Sequence, residues 1–311
     1  MRYTGFLDLK KRAGQIPKRT VAVAAAGDEE VLRSASEAER EGIADFILVG
    51  DSARIRTLAD SEGLDLITKN ACTVIHEPDE AAAALLAAEL VRNGEADVLM
   101  KGLVNSSVFL KAVLDDRRGL RGEKSLSHLA AFEIPGQPKL AFYTDGGMNP
   151  FPDYQLKKQI LLNGLEALAR LGIDEPKAAV LTANETVSPR MPSTMDAAEL
   201  TEAWKRGEFP PCILEGPVAL DVALSREAAA HKGIESRISG DTDLFLVPNI
   251  EAGNLIGKSL VYYAGAKMAG VILGGRKPVV LTSRSENAEG KLNSILLACL
   301  LSESERLSWI S

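Results

Sequence analysis

Short apolar runs alternate along this chain with longer stretches whose apolar residues recur every three or four positions. That alternation of strand and helix signals predicts an α/β fold with mostly parallel sheets. Residues 20–26 read as a strand ending at Gly27-Asp28, and residues 29–41 as a helix with Val31, Leu32, Ala35 and Ala38 on one side. The format repeats with a strand over 45–49, a short strand over 73–76, an Ala/Leu-rich helix over 80–93 and a strand over 97–100 that stops at Lys101-Gly102. Residues 115–124 are charged and glycine-punctuated, which predicts a surface loop. Strands over 125–132 and 139–144 flank Pro135-Gly136-Gln137-Pro138, a hairpin-like joint and a natural domain boundary. Beyond it come a helix over 154–171, a strand over 178–182, a polar loop with Ser193 or Thr194 as the next N-cap, a strand over 212–217 and a helix over 223–231.

The stretch from Asp243 to Leu300 holds two strand-to-helix turns rich in polar residues. The first, Pro248-Asn249-Ile250-Glu251-Ala252-Gly253-Asn254, follows the apolar run Leu244 to Val247; the second, Thr282-Ser283-Arg284-Ser285-Glu286, follows Val279-Val280-Leu281. In open α/β sheets ligands bind at such turns. A third candidate is Lys101-Gly102-Leu103-Val104-Asn105-Ser106, where a cation, a glycine and a helix start suit a phosphate. The plainer account of that turn has Asn105 or Ser106 capping the helix and Lys101 solvated. His128, in an apolar strand, is either a satisfied core histidine or a catalytic one.

The chain has 311 residues, which suits two ordinary domains. No run is apolar for the eighteen residues of a membrane helix, and the N-terminal residues carry no secretory signal. A net charge of −7 excludes a broad cationic surface for nucleic acid, so an anionic ligand must be held locally. Three distant cysteines argue against disulfides and for a reducing cytoplasm, and three histidines outside ligand spacing argue against a metal site. Gly253 to Ser259 looks like a phosphate loop but has three residues between its glycines where four are needed, and no G-x-G-x-x-G follows the first strand.

Taken together, Lys101-Gly102, Ser127-His128, Thr144-Asp145-Gly146-Gly147-Met148-Asn149, Val187 to Thr194, Glu215 to Asp221, Pro248 to Asn254 and Leu281-Thr282-Ser283-Arg284 occur in an order that closely resembles the phosphate acyltransferases, the family of phosphate butyryltransferases and phosphate acetyltransferases. The resemblance implies two α/β domains with parallel-type sheets in an isocitrate/isopropylmalate dehydrogenase-like architecture. Residues 1–136 plus 271–311 would form one domain and 137–270 an inserted second, with the active site in the cleft between them. It implies a cytoplasmic homodimer, no permanently bound cofactor, and the reaction acyl-CoA plus phosphate to acyl phosphate plus coenzyme A in a ternary complex, on butyryl-CoA or a similar short chain.

Carried onto matching positions, Ser283 and Arg284 are the catalytic pair. Ser283 would hydrogen-bond the thiol or the tetrahedral intermediate, and Arg284 would stabilise developing negative charge. Lys101, Gly102, Asn105, Ser106, His128, Asp145, Met148, Asn149, Asn249, Glu251 and Asn254 would bind substrate. Acetyl-type members carry an acidic residue where this chain has Gly290 and an arginine where it has Tyr262; Glu286, Glu289 and His128 are the replacements open as thiol base. Ser283-Arg284-Ser285-Glu286 also fits the helix capping box, which would explain the serine without catalysis. Three other functions remain open at this stage: acetyl transfer, a metal- and NAD-dependent hydroxy-acid dehydrogenase of the same architecture, and a non-catalytic two-domain anion-binding protein.

Overall fold

Several strands end at a glycine or aspartate, and several helices begin where a capping side chain precedes an amphipathic stretch. The computed structural model describes residues 2–67, 72–283 and 286–303. These fall into two compact units, one from Gly5–Lys124 with the described residues from Met268 onward, the other from Ser125–Lys267 with residues 2–4.

The first unit begins with α1 (Phe6–Ala13), β1 (Arg19–Ala24), α2 (Glu29–Arg40), β2 (Ala44–Gly50), α3 (Ser52–Ser61), β3 (Cys72–His76), α4 (Glu80–Arg92), β4 (Val98–Lys101) and α5 (Ser106–Val113). Asp28, Asp51 and Asp79 accept backbone N–H groups of α2, α3 and α4, so each strand gives way to a helix at an aspartate cap. β1 pairs in parallel with β2 and β4, and β2 with β3.

The second unit carries β5 (Ser127–Glu133), β6 (Ala141–Thr144), α6 (Tyr154–Arg170), β7 (Lys177–Leu181), α7 (Pro192–Lys205), β8 (Ile213–Val218), α8 (Leu220–Leu224), α9 (Arg226–His231), β9 (Leu244–Leu246) and α10 (Ile250–Tyr262). β5 and β6 are an antiparallel hairpin in register from Leu129 opposite Thr144 to Phe132 opposite Ala141. The hairpin therefore lies whole within this unit, and the division falls ahead of it rather than at Pro135 to Pro138. β6, β9, β7 and β8 follow in parallel order. Tyr3 ties the chain start here, its hydroxyl donating to the Leu171 carbonyl at 2.5 Å.

The chain then returns through β10 (Lys267–Leu273), β11 (Val279–Val280) and α11 (Ala288–Leu301). β11 is antiparallel to β10 and parallel to β4, giving the first unit the order β3-β2-β1-β4-β11-β10. α11 is buried from Gly290 to Leu301 and packs against α1 and α2.

Two local expectations give way. The helix expected over 223–231 is two, because Ser225 leaves helical geometry and its hydroxyl caps α9 at the Ala228 N–H. Neither Ser193 nor Thr194 caps α7; Pro192 opens it, and the buried Thr194 hydroxyl donates to Met191 O at 2.7 Å and accepts from Ser188 N–H at 2.9 Å. Pro needs no cap partner at a first helical turn, so the hydroxyl serves the preceding loop instead.

Candidate active site

In the first unit the strand order reverses between β1 and β4, the position at which open α/β sheets leave a crevice beyond the strand ends. The parallel registers set Ala24 opposite Lys101 and Val280 opposite Met100. The turns after β1, β4 and β11 therefore leave the same edge of this sheet, and they contain Lys101, Gly102 and Ser283.

Lys101 is 5% exposed, with Nζ donating to the Gly102 carbonyl at 3.2 Å. It is not the solvated lysine of the plainer account. Gly102 is required by the protein itself: a Cβ there would stand 2.4 Å from the Ala25 oxygen and 2.6 Å from the Ala24 oxygen. Ala25 adopts φ 53°, a region that non-glycine residues enter rarely and that concentrates at functional sites. Asn105 stands at the N-cap of α5 without making a side-chain cap bond, and both it and Ser106 are exposed. The first N–H groups of α5 are thus not filled by the capping side chain expected there, which leaves them suited to an anion.

The turn after β11 is pinned from two sides. The Ser283 N–H donates to Glu286 Oε2 at 3.3 Å, and the Glu286 N–H donates to the Ser283 carbonyl at 3.2 Å. The buried Lys291 donates to the Glu286 carbonyl at 2.5 Å and to the Ser283 carbonyl at 3.5 Å. The capping-box expectation is half met: the glutamate reaches back, but Asn287 caps α11 by accepting from the Gly290 N–H at 3.0 Å. Ser283 is exposed and stands outside the helix. Arg284 lies outside the described residues.

The second unit gathers its residues at the ends of β6 and β9. Asp145 is 2% exposed and organises the turn, Oδ1 accepting from Gly147 N–H at 2.9 Å and Met148 N–H at 2.8 Å, Oδ2 from the Asn149 side chain at 2.6 Å. Asn149 also donates to the Leu126 carbonyl at 2.9 Å. Asp145 and Asn149 thus shape the turn, and Met148 is half-buried within it. Gly146 packs on Gly253 of α10, where a Cβ would come within 2.6 Å of the Gly146 Cα; Gly147 lies on the His128 ring, where one would meet Cγ at 2.9 Å. Asn249 caps α10 through the Ala252 N–H, while Glu251 and Asn254 face solvent.

His128 is not a satisfied core histidine. Its Nδ1 is buried without a partner among the described residues, and burial pushes the imidazole pKa below its usual value against the pull of Asp145. Gly257, Lys258 and Ser259 lie inside α10, as the failed phosphate-loop count requires. Sequence reasoning missed Lys291, although a lysine beside the apolar run that makes up most of α11 is the visible signal.

A buried cation and an exposed hydroxyl thus follow neighbouring strands, an arrangement suited to an anion, and comparison with known proteins adds the family. The model of the family described as phosphate acetyl/butaryl transferase matches residues 69–299. Phosphate butyryltransferase of Clostridium acetobutylicum is 45% identical over 91% of this chain and 93% of its own length. Phosphate acetyltransferase of Rhizobium meliloti is 37% identical over 91% of this chain and 89% of its own. Among solved structures, a branched-chain phosphotransacylase from Enterococcus faecalis V583 is 35% identical, with a TM-score of 0.81 over 91% of this chain and 99% of that one. The fold and these relatives define an acyltransferase. The chain belongs to the phosphate acetyl/butyryl transferase family.

Proposed function

We propose that this enzyme transfers an acyl group from butyryl-CoA, or a thioester of similar short length, to inorganic phosphate, with coenzyme A as co-substrate and no resident cofactor. The observation that carries the reading is the pairing of β4 with β11, which brings the buried Lys101 and the Ser283 turn to one sheet edge. Phosphate meets Lys101, Arg284 and the N–H groups opening α5, since a buried cation beside a helix N-terminus stabilises an anion. Arg284 offers the forked geometry that phosphate oxygens match. A phosphate oxygen attacks the thioester carbonyl directly in a ternary complex. Ser283 donates a hydrogen bond to the tetrahedral oxyanion or to the departing sulfur, a contribution made only as charge develops. Within the second unit, His128 of β5, against the turn shaped by Asp145 and Asn149, contributes a neutral imidazole to acyl-CoA binding, together with Met148, the α10 cap Asn249 and the α10 residues Glu251 and Asn254.

The butyryl preference draws support from the higher identity to the butyryl enzyme; acetyl transfer is the second reading, favoured by the match to the acetyl enzyme. The proposal extends to a cytoplasmic homodimer. α10 buries only Gly253 and exposes Leu255 and Tyr262, a face suited to a second copy. Coenzyme A release from acetyl-, butyryl- and branched acyl-CoA, with and without phosphate, tests the reading. The expected result is phosphate-dependent release with the highest kcat/KM on butyryl-CoA; fastest release from acetyl-CoA establishes the second reading instead, and release without phosphate removes both.

A further inference from the structure

After β11, Glu286 has one carboxylate oxygen that no described residue uses. Glu286 folds back so that Oε2 accepts from the Ser283 N–H, while Oε1 is buried and has no hydrogen-bond partner among the described residues. A buried polar atom without a partner is uncommon enough in folded proteins to require an explanation. The space it occupies is kept open by Gly290: a Cβ there would lie 2.6 Å from Glu286 Oε1 and 2.7 Å from Cγ. Gly290 stands in the first turns of α11, where glycine is a poor helix former, so the clearance is held against local preference.

Lys291 is the charged group among the described residues that faces this carboxylate. Its amine donates to the Glu286 and Ser283 main-chain oxygens, so it braces the turn and leaves Oε1 unpaired. Burial pushes the Glu286 pKa above the ordinary carboxylate value, opposed by the Lys291 charge and the Ser283 N–H. A carboxyl group poised nearer neutrality is what general acid–base chemistry requires.

We infer that Glu286 is the proton-transfer residue of the acyl transfer, held against Ser283 by its Oε2, with the unpartnered Oε1 left to take up the transferred proton. The inference rests on the phosphate acyltransferase reading. As phosphate attacks, a C–O bond forms, the C–S bond breaks, and the proton lost by the phosphate hydroxyl is the one gained by sulfur; Glu286 carries it between them. In reverse, the Glu286 carboxylate takes the thiol proton, the thiolate attacks the acyl phosphate carbonyl, and the proton returns to the departing phosphate.

Glu286→Gln keeps an acceptor for the Ser283 N–H and removes the carboxyl group that takes up and releases the proton. Expected is a fall in kcat of about 10²- to 10⁴-fold with little change in KM. The acidic limb of the pH–rate profile, measured as acyl phosphate and coenzyme A are converted to thioester, disappears. E286A loses activity similarly, and E286A/G290D, which returns a carboxylate to the same space from the other side of the turn, regains part of it. Wild-type rate in E286Q, or a lowered rate with the acidic limb intact, overturns the assignment and leaves Glu286 a brace. Absence of phosphate-dependent release by the wild type overturns the acyltransferase reading itself, which keeps the two failures distinct.

Discussion

At Gly102 one added methyl group would meet two main-chain oxygens, and neither is the movable end of a side chain. Gly102→Ala is expected to destabilise the enzyme by about 1–3 kcal/mol, the cost of overpacking, read as a lower melting temperature. A melting temperature equal to wild type would show that the β1 and β4 turns can separate freely. Lys101 and Gly102 were legible as a pair from sequence, but for a partly different reason: the glycine was read as room for a ligand, and the structure shows room for the Ala24 and Ala25 carbonyls. Ser283 was legible too, whereas its relation to the capping box was not. Asn287 offers a competing Asx cap four residues later, and only the pairing geometry of the helix start chooses between them. His128 and Glu286 were both named, yet their unpartnered atoms depend on burial that no sequence pattern displays.

Among the elements, α10 places two preferences in opposition. Helix propensity favours Ala over Gly at position 253 by about 1 kcal/mol. Against this, a Cβ there would lie 2.6 Å from the Gly146 Cα and 2.8 Å from Val247 Cγ2, a clash of order 1–3 kcal/mol. Packing wins, so Gly253→Ala is expected to lower stability despite the better helix former, with thermal melting as the check. Most strands and helices were legible because their apolar periods are clear and an aspartate marks each of several helix starts. The break at Ser225 was not, since Ala223 to His231 reads as one helical run and the interruption comes from a side-chain cap that tertiary packing selects. The hairpin of β5 and β6 was found, but its proline-rich joint looked like a division when it is only a turn.

Over the molecule as a whole, the acid limit of stability has a visible source. Asp241 accepts from Lys177 at 2.8 Å, Lys139 at 3.0 Å and Arg2 at 2.5 Å, and Lys139 also bonds Asp243. Burial alone would raise the Asp241 pKa, but the Lys177 and Lys139 contacts outweigh it and hold the carboxyl down to about 2. A folded pKa below the unfolded value means stability that is full above the unfolded value of 3.8 and is lost as pH falls through about 2. Asp241→Asn is therefore expected to lower stability at pH 7 by about 1–2 kcal/mol after solvent screening, read as a lower melting temperature, and to narrow its difference from wild type near pH 2. A difference independent of pH would assign the effect to packing. Two units were expected from the chain's length and from the family resemblance, whereas the alternating elements fixed only the α/β class; the family was legible from short motifs dispersed along the chain.

The most direct test of the account is phosphate-dependent coenzyme A release by Ser283→Ala beside its melting curve. A lost oxyanion donor raises the barrier by about 2.7–4 kcal/mol, or about 10²- to 10³-fold in kcat. A lost helix cap instead lowers stability by about 1 kcal/mol. The account predicts a kcat reduced by at least about 10²-fold with a nearly unchanged melting temperature. Near-wild-type turnover in the variant, with or without a lower melting temperature, would contradict the role assigned to Ser283.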